Sequence, residues 1–257
     1  MEILNYPDAK TVVICGDIHG DFKPLVHKLC NQLGLKDTLL IVAGDCGFGF
    51  DKPAYYVTVY NQIAGLLRKA NNWVVFVRGN HDEPSYFAEQ RINYTRWRTV
   101  PDYSVIRANG HNILCVGGAV SIDRAMRIPK NTKEKPIFWA DEAPVFRPDE
   151  IQSIPADIKI DTVVTHTAPS RCEFTSNLEI QIWAKEFHDT HLLRDCEQER
   201  KALDMLEEKL KNNGHPLQNW YYGHFHASWT RTMDGTTLHM LDIMELKELR
   251  EYPKSNE

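Results

Sequence analysis

Three short apolar runs, Thr11–Cys15 (TVVIC), Thr38–Ala43 (TLLIVA) and Trp73–Val77 (WVVFV), each break off at a turn rich in glycine and ionisable groups. They continue into Gly16-Asp17-Ile-His19, Gly44-Asp45 and Arg78-Gly79-Asn80-His81-Asp82. Five or six apolar residues without alternation mark a strand covered on both faces, as in a helix-flanked parallel sheet. The intervening segments have helical spacing. Phe22, Leu25, Val26, Leu29, Cys30 and Leu33 form one stripe, with Asp21 placed to cap it and Gly34 to end it. Val59, Ile63, Leu66, Leu67 and Ala70 form a second between Pro53 and Ala70. Strand, helix, strand, helix, strand within 80 residues predicts βαβ units and a mainly parallel sheet.

Further strands are expected at Tyr103–Arg107 and Asn112–Gly117, joined through Asn109-Gly110, then at Asp161–Thr165 and Trp220–Gly223. Ser228–Met233 and Thr236–Met244 complete the set, with Asp234-Gly235 as a second hairpin turn. Residues 121–150 are rich in proline and charge without periodicity, which predicts a long, lid-like functional loop. Cys196, Leu203, Leu206 and Leu210 share one face of a charged helix over His191–Asn213. With no repeat or low-complexity tract, residues 1–257 are expected to form a single domain ending in a charged tail, Glu245–Glu257, mobile or helical.

Lys and Arg number 30 against 35 Asp and Glu, a net charge of −5 that lacks the basic field of a non-specific nucleic-acid binder. The six cysteines show no CxxC spacing, and four lie inside apolar runs, which fits reduced thiols rather than a disulfide framework. Met1–Lys10 carries Glu2 and Asp8 and no apolar leader, and no run approaches the length of a membrane span. A cytoplasmic setting without membrane association is the expectation.

Five polar clusters follow predicted strands: Asp17-Ile-His19, Asp45, Asn80-His81-Asp82, His166 and His224-Phe-His226. In an open α/β sheet the carboxyl ends of strands line the ligand crevice, so these side chains should converge. Carboxylates, imidazoles and one carboxamide are hard to borderline donors, suited to Mn, Fe or Zn and ill suited to Cu(I) or iron–sulfur clusters.

Gly16-Asp-Ile-His-Gly-Asp21, Gly44-Asp45, Gly79-Asn-His-Asp82, His166 and Gly223-His-Phe-His226 together resemble the motif set of calcineurin-like metallophosphoesterases, over residues 11–226. The resemblance implies a two-sheet β-sandwich core flanked by helices, α/β in class, with a two-metal site at the strand ends. It implies that Asp17, His19 and His226 hold one metal and Asn80, His166 and His224 the other. Asp45 bridges them, and His81, paired with Asp45, assists the leaving group just outside the metal shell. Manganese is the first expectation for both ions, with Fe, Zn or Ni as alternatives. Two such cations about 3.5–4 Å apart can hold a bridging hydroxide for in-line attack on a phosphate mono- or diester.

The remaining residues subdivide the family. Arg78 stands where serine/threonine protein phosphatases carry a phosphate-binding arginine, but Gly44–Phe50 lacks their second arginine and the third motif ends in Asp82 rather than Glu. Asn80, Arg78 and Arg124, with Arg127 as the alternative to Arg124, are the candidate substrate contacts; for both Arg78 and Arg124 a structural ion-pair role is the competing reading. Phe138, Trp139, Phe146 and Trp97 could stack a base, or simply pack an irregular loop. A phosphorylated small molecule or nucleotide is the expected substrate. A nuclease on short single strands and a protein phosphatase are the alternatives, and intact ligand positions argue against a non-catalytic scaffold.

Overall fold

The computed structural model describes residues 1–172 and 177–250. The chain begins with β1 (Ile3–Tyr6), β2 (Thr11–Cys15) and α1 (Phe22–His27), which widens into a π turn over Lys28–Gln32. β3 (Thr38–Ala43), α2 (Pro53–Ala70), β4 (Trp73–Val77) and α3 (Pro84–Ala88) follow. Four shorter strands come next: β5 (Asn93–Tyr94), β6 (Trp97–Thr99), β7 (Ser104–Ala108) and β8 (His111–Val116). The long connection holds α4 (Arg124–Arg127) and α5 (Pro148–Gln152) before β9 (Thr162–Thr165). The rest comprises α6 (Asn177–Glu186), α7 (Leu192–Asn212), β10 (Asn219–Tyr222), β11 (Trp229–Met233), β12 (Thr236–Met240) and β13 (Leu246–Leu249).

Two mixed sheets pack face to face in an α/β sandwich. One runs β13-β2-β3-β4-β6-β5 and the other β1-β7-β8-β9-β10-β12-β11. The unbroken apolar runs follow from this layering. Val12, Ile14, Leu39, Ile41, Val75 and Val77 point into the space between the sheets, where they meet Ile106, Ile113, Val164 and Tyr221. Their neighbours Val13, Cys15, Leu40, Val42, Val74 and Phe76 point the other way, against Leu25, Val59, Ile63 and Leu67 of α1 and α2. The outer face of the second sheet packs on the Leu203, Leu206 and Leu210 stripe of α7. Each fully buried aliphatic side chain contributes about 1.5–3 kcal/mol, so an apolar residue at every strand position serves both layers.

β2, β3 and β4 are parallel and in step, with Cys15 opposite Val42 and Ala43 opposite Val77. β8, β9 and β10 are parallel in the other sheet, so the carboxyl ends of both sheets open at one edge of the sandwich. Both predicted hairpin turns form, with left-handed φ at Asn109 and Gly110 and at Asp234 and Gly235.

Some expectations are corrected. Leu246–Leu249, expected in a charged tail, is a strand antiparallel to β2; the remainder of that tail, 251–257, lies outside the described residues. β12 stops at Met240 rather than Met244. Asp21 stands at the start of α1 without making a side-chain capping bond. The 121–150 connection is not structureless, since α4, α5 and the buried Glu142 organise it.

Candidate metal centre and active-site cleft

The polar clusters sit on tight turns that leave the strand ends. His19, Asp45, His224 and His226 all take left-handed φ, between 44° and 67°. Such conformations in non-glycine residues cost about 1–3 kcal/mol each and persist where the surroundings enforce them. Glycine makes the crowding sterically feasible at two points. A Cβ on Gly44 (φ +95°) would fall 2.2 Å from the His166 ring, and one on Gly79 would fall 2.1 Å from Asp45 Oδ1.

One group of donors surrounds Asp17, which is fully buried. His226 Nε2 is 3.0 Å and His19 Nε2 3.8 Å from Asp17 Oδ2, and the two imidazole nitrogens face each other at 3.1 Å. The other group surrounds His166. Its Nε2 lies 3.0 Å from Asn80 Oδ1 and 3.1 Å from Asp45 Oδ1, with the His224 ring centroid 5.0 Å from its own. Asp45 touches both groups, since its Oδ2 lies 3.9 Å from His19 Nδ1. Asp17 spans them as well, accepting the His224 backbone N–H at 2.9 Å.

The electrostatics ask for positive charge here. Burial alone would push His166 down, but Asp45 and Asp17 outweigh it and hold it up at about 10. Asp45 is held well below the usual carboxylate range despite its burial, by the adjoining His166. His224, buried beside His166, is pushed down, whereas its hydrogen bond to Asp17 raises His226. Ligand atoms of Asp17, His19, Asp45 and His226 all lie within 4.8 Å of one another. Two imidazole nitrogens 3.1 Å apart satisfy each other only if one carries a proton, while a cation satisfies both along with the carboxylates. This donor set fits a metal.

Other residues brace the centre. Asp82, fully buried, accepts N–H bonds from Cys46, Gly47, Phe48 and Gly79 at 2.7–3.0 Å and so ties the β3 turn to the β4 turn. Asn80 Nδ2 donates to Ser121 Oγ at 2.9 Å, and Ser121 donates from Oγ and N to Glu142 at 2.6 and 2.8 Å. That chain turns the Asn80 carbonyl oxygen toward His166. Glu142 lies in no motif, and no local pattern around it signals its part in this chain.

The expected pairing of His81 with Asp45 runs through the main chain: the His81 N–H donates to Asp45 Oδ1 at 2.8 Å. The imidazole instead meets Arg127, whose guanidinium nitrogen is 2.5 Å from Nε2. Burial pushes His81 down, against the pull of Asp45, and Arg127 adds to the lowering.

Arg78 is not at the site. Its guanidinium donates to Glu142 O at 2.6 Å and Asp102 Oδ2 at 3.0 Å, at the edge of a different cavity. Arg124 is also diverted, held by Asp189 at 2.6 Å and Asp195 at 2.8 Å. Both guanidiniums are thus engaged within the chain, the arrangement the competing structural reading called for. Of the aromatic candidates, Trp97 is buried in the core and Phe146 packs against the α7 side. Trp139 meets Phe50 edge-on at 5.4 Å, and Phe50 lies 6.4 Å from the His81 ring. All six cysteines are free thiols, and no helix among the described residues is long and apolar enough to cross a membrane.

The two mixed sheets with flanking helices form an α/β sandwich consistent with the calcineurin-like metallophosphoesterase fold. The chain belongs to the calcineurin-like phosphoesterase family, whose model matches residues 10–228. It is 25% identical over 162 residues to the serine/threonine-protein phosphatase 6 catalytic subunit of Caenorhabditis elegans, covering 52% of this chain and 47% of that one. It is 27% identical over 180 residues to serine/threonine-protein phosphatase PP1-1 of Saccharomyces cerevisiae, covering 60% and 55%. The chain thus spans about half the length of these relatives. Among solved structures, TT1561 of Thermus thermophilus superposes with a TM-score of 0.54 at 13% identity, over 93% of this chain and 98% of that one, a likeness of fold.

Proposed function

We propose that this chain is a two-metal phosphoric ester hydrolase acting on a mono- or diester of a phosphorylated small molecule or nucleotide. The observation that carries the reading is Asp45, whose two oxygens face different donor groups, Oδ1 toward His166 and Oδ2 toward His19. Asp17, His19 and His226 would hold one ion and Asn80, His166 and His224 the second, with Asp45 shared and manganese the leading identity. Ions bound there supply Lewis acidity and a nucleophile at neutral pH.

The chain's own residues do the rest. Arg127, beside His81 at the cleft, offers a guanidinium for a phosphate oxygen in place of the diverted Arg78 and Arg124. His81 would assist the departing oxygen once Arg127, which donates to its Nε2 here, turns to the phosphate, with its position fixed through the Asp45–His81 main-chain bond. Ser121 and Glu142 orient the Asn80 carboxamide.

The protein-phosphatase relatives support phosphoester chemistry but not their own substrates, because the Gly44–Phe50 turn carries no arginine and Arg78 is committed elsewhere. The test is hydrolysis of nitrophenyl phosphate and its bis-ester after chelation and readdition of Mn²⁺, Ni²⁺, Zn²⁺ or Mg²⁺. Metal-restored turnover that disappears in Asp45→Asn is the expected result. Turnover that survives chelation would contradict the reading.

A further inference from the structure

A cavity of about 440 Å³ opens directly from the candidate centre, with Asp45, Asn80, His81, His224 and His226 along one side. The facing side is of a different character. Val120 and Ile122, from the segment after β8, line it together with Ile180 and Trp183 of α6, against which they pack. Val120 and Ile180 are buried members of a small apolar cluster that also contains Leu192 and Cys196. Trp183 is held by a stacked contact with Phe187, centroids 5.2 Å apart, so this wall is pre-organised.

Of the polar groups that also line the cavity, Ser121, Asp123 and Glu199 are engaged within the chain, and Glu179 and Arg200 stand beside the apolar side chains. Ser121 gives both its donors to Glu142. Glu199 accepts the Val120 N–H at 2.6 Å and the Thr167 hydroxyl at 3.2 Å. Asp123 is paired with Arg127 at 2.7 Å. A molecule anchored by its phosphate at the centre therefore meets mainly aliphatic and aromatic surface beyond it. The size is that of a small-molecule site rather than a groove for a polymer or folded protein.

We propose that this cleft is the leaving-group subsite and that it selects phosphate esters of a compact apolar alcohol, aryl or short alkyl, over polyhydroxylated ones. The proposal rests on the phosphoesterase reading and narrows it from phosphate esters in general to one class. A sugar or glycerol leaving group would place hydroxyls against Val120, Ile180 and Trp183 and lose their hydration without replacement bonds.

The test is calorimetric binding of phenylphosphonate and methylphosphonate, neither of which can be hydrolysed, to the manganese-loaded protein. Phenylphosphonate should bind about 10- to 100-fold more tightly, the range given by burying one ring. In Trp183→Ala and in Ile180→Ser the difference should fall to about 3-fold or less. Unchanged methylphosphonate affinity in the variants serves as the control for fold and metal loading. Equal affinities in the wild type, a difference that survives in both variants, or no binding of either phosphonate would overturn the proposal. If the affinity difference is found but phenyl phosphate is not hydrolysed, the phosphoesterase reading fails and the leaving-group role falls with it, leaving only an apolar ligand pocket.

Discussion

His166 Nε2 lies 3.1 Å from Asp45 Oδ1, although the two residues follow strands of different sheets. β9, which ends beside His166, belongs to the seven-stranded sheet, and β3, which precedes Asp45, to the six-stranded one. The candidate centre is thus assembled across the sandwich, and its geometry depends on how the two sheets pack. Asp45→Asn keeps the shape and removes the charge. It should lower kcat by at least about 100-fold with little change in melting temperature, measured by turnover alongside thermal unfolding.

Arg127 faces His81 and, unlike Arg78 and Arg124, lines the cleft, which Arg200 also lines. Arg127→Ala should weaken inhibition by inorganic phosphate and reduce kcat/KM by about 10- to 100-fold, with Arg127→Lys intermediate. Arg124→Ala, which breaks pairs with Asp189 and Asp195, should instead lower thermal stability and leave phosphate inhibition unchanged. Steady-state inhibition and melting curves on the two variants separate these roles.

Glu142 acts on the centre through Ser121 and Asn80. Glu142→Gln and Ser121→Ala should each weaken metal affinity by about 10- to 100-fold, the usual effect of losing an outer partner of a ligand. Competition with a metal-chelating dye reads this without reference to activity.

His239 is buried against Tyr221 at 4.2 Å, and burial together with Lys247 depresses it to about 4. The unfolded chain takes up this proton near 6.5 and the folded chain only near 4, so stability is full above 6.5 and is lost as pH falls toward 4, at up to about 1.4 kcal/mol per pH unit. Glu142 and Glu199, both raised to about 7 by burial, act in the opposite direction, favouring the folded state as pH drops from 7 toward 4.5. The difference in unfolding free energy between wild type and His239→Leu isolates the histidine. It should shift in favour of the variant as pH falls from about 6.5 to about 4.5; a pH-independent difference would contradict a neutral buried imidazole.

The elements nearest the site were the most legible in the sequence. β2, β3, β4 and β9 carry apolar residues on both faces because each lies inside the sandwich, and their ends are marked by glycine and ionisable residues. β1 and β13 lie at the sheet margins with half-buried, mixed residues. What defines them is pairing with distant partners, Ile3 with Val105 and Leu246 with Cys15, which no local pattern encodes. α6 carries no such signal because Leu178 and Ile182 are exposed, so its apolar residues do not fall on one buried stripe. The arginines show the same limit. Arg78 and Arg124 have long side chains, and carboxylates 24 and 65 residues away decide where they point.

The most direct test of the central claim is the metal content of the protein after chelation, reloading with Mn²⁺ and desalting. Two ions per chain are predicted for the wild type, with loss of one or both in Asp45→Ala and preferential loss of a single ion in Asn80→Ala. Fewer than one ion per chain in the folded wild type, or two ions retained in Asp45→Ala, would contradict a centre built on that shared carboxylate.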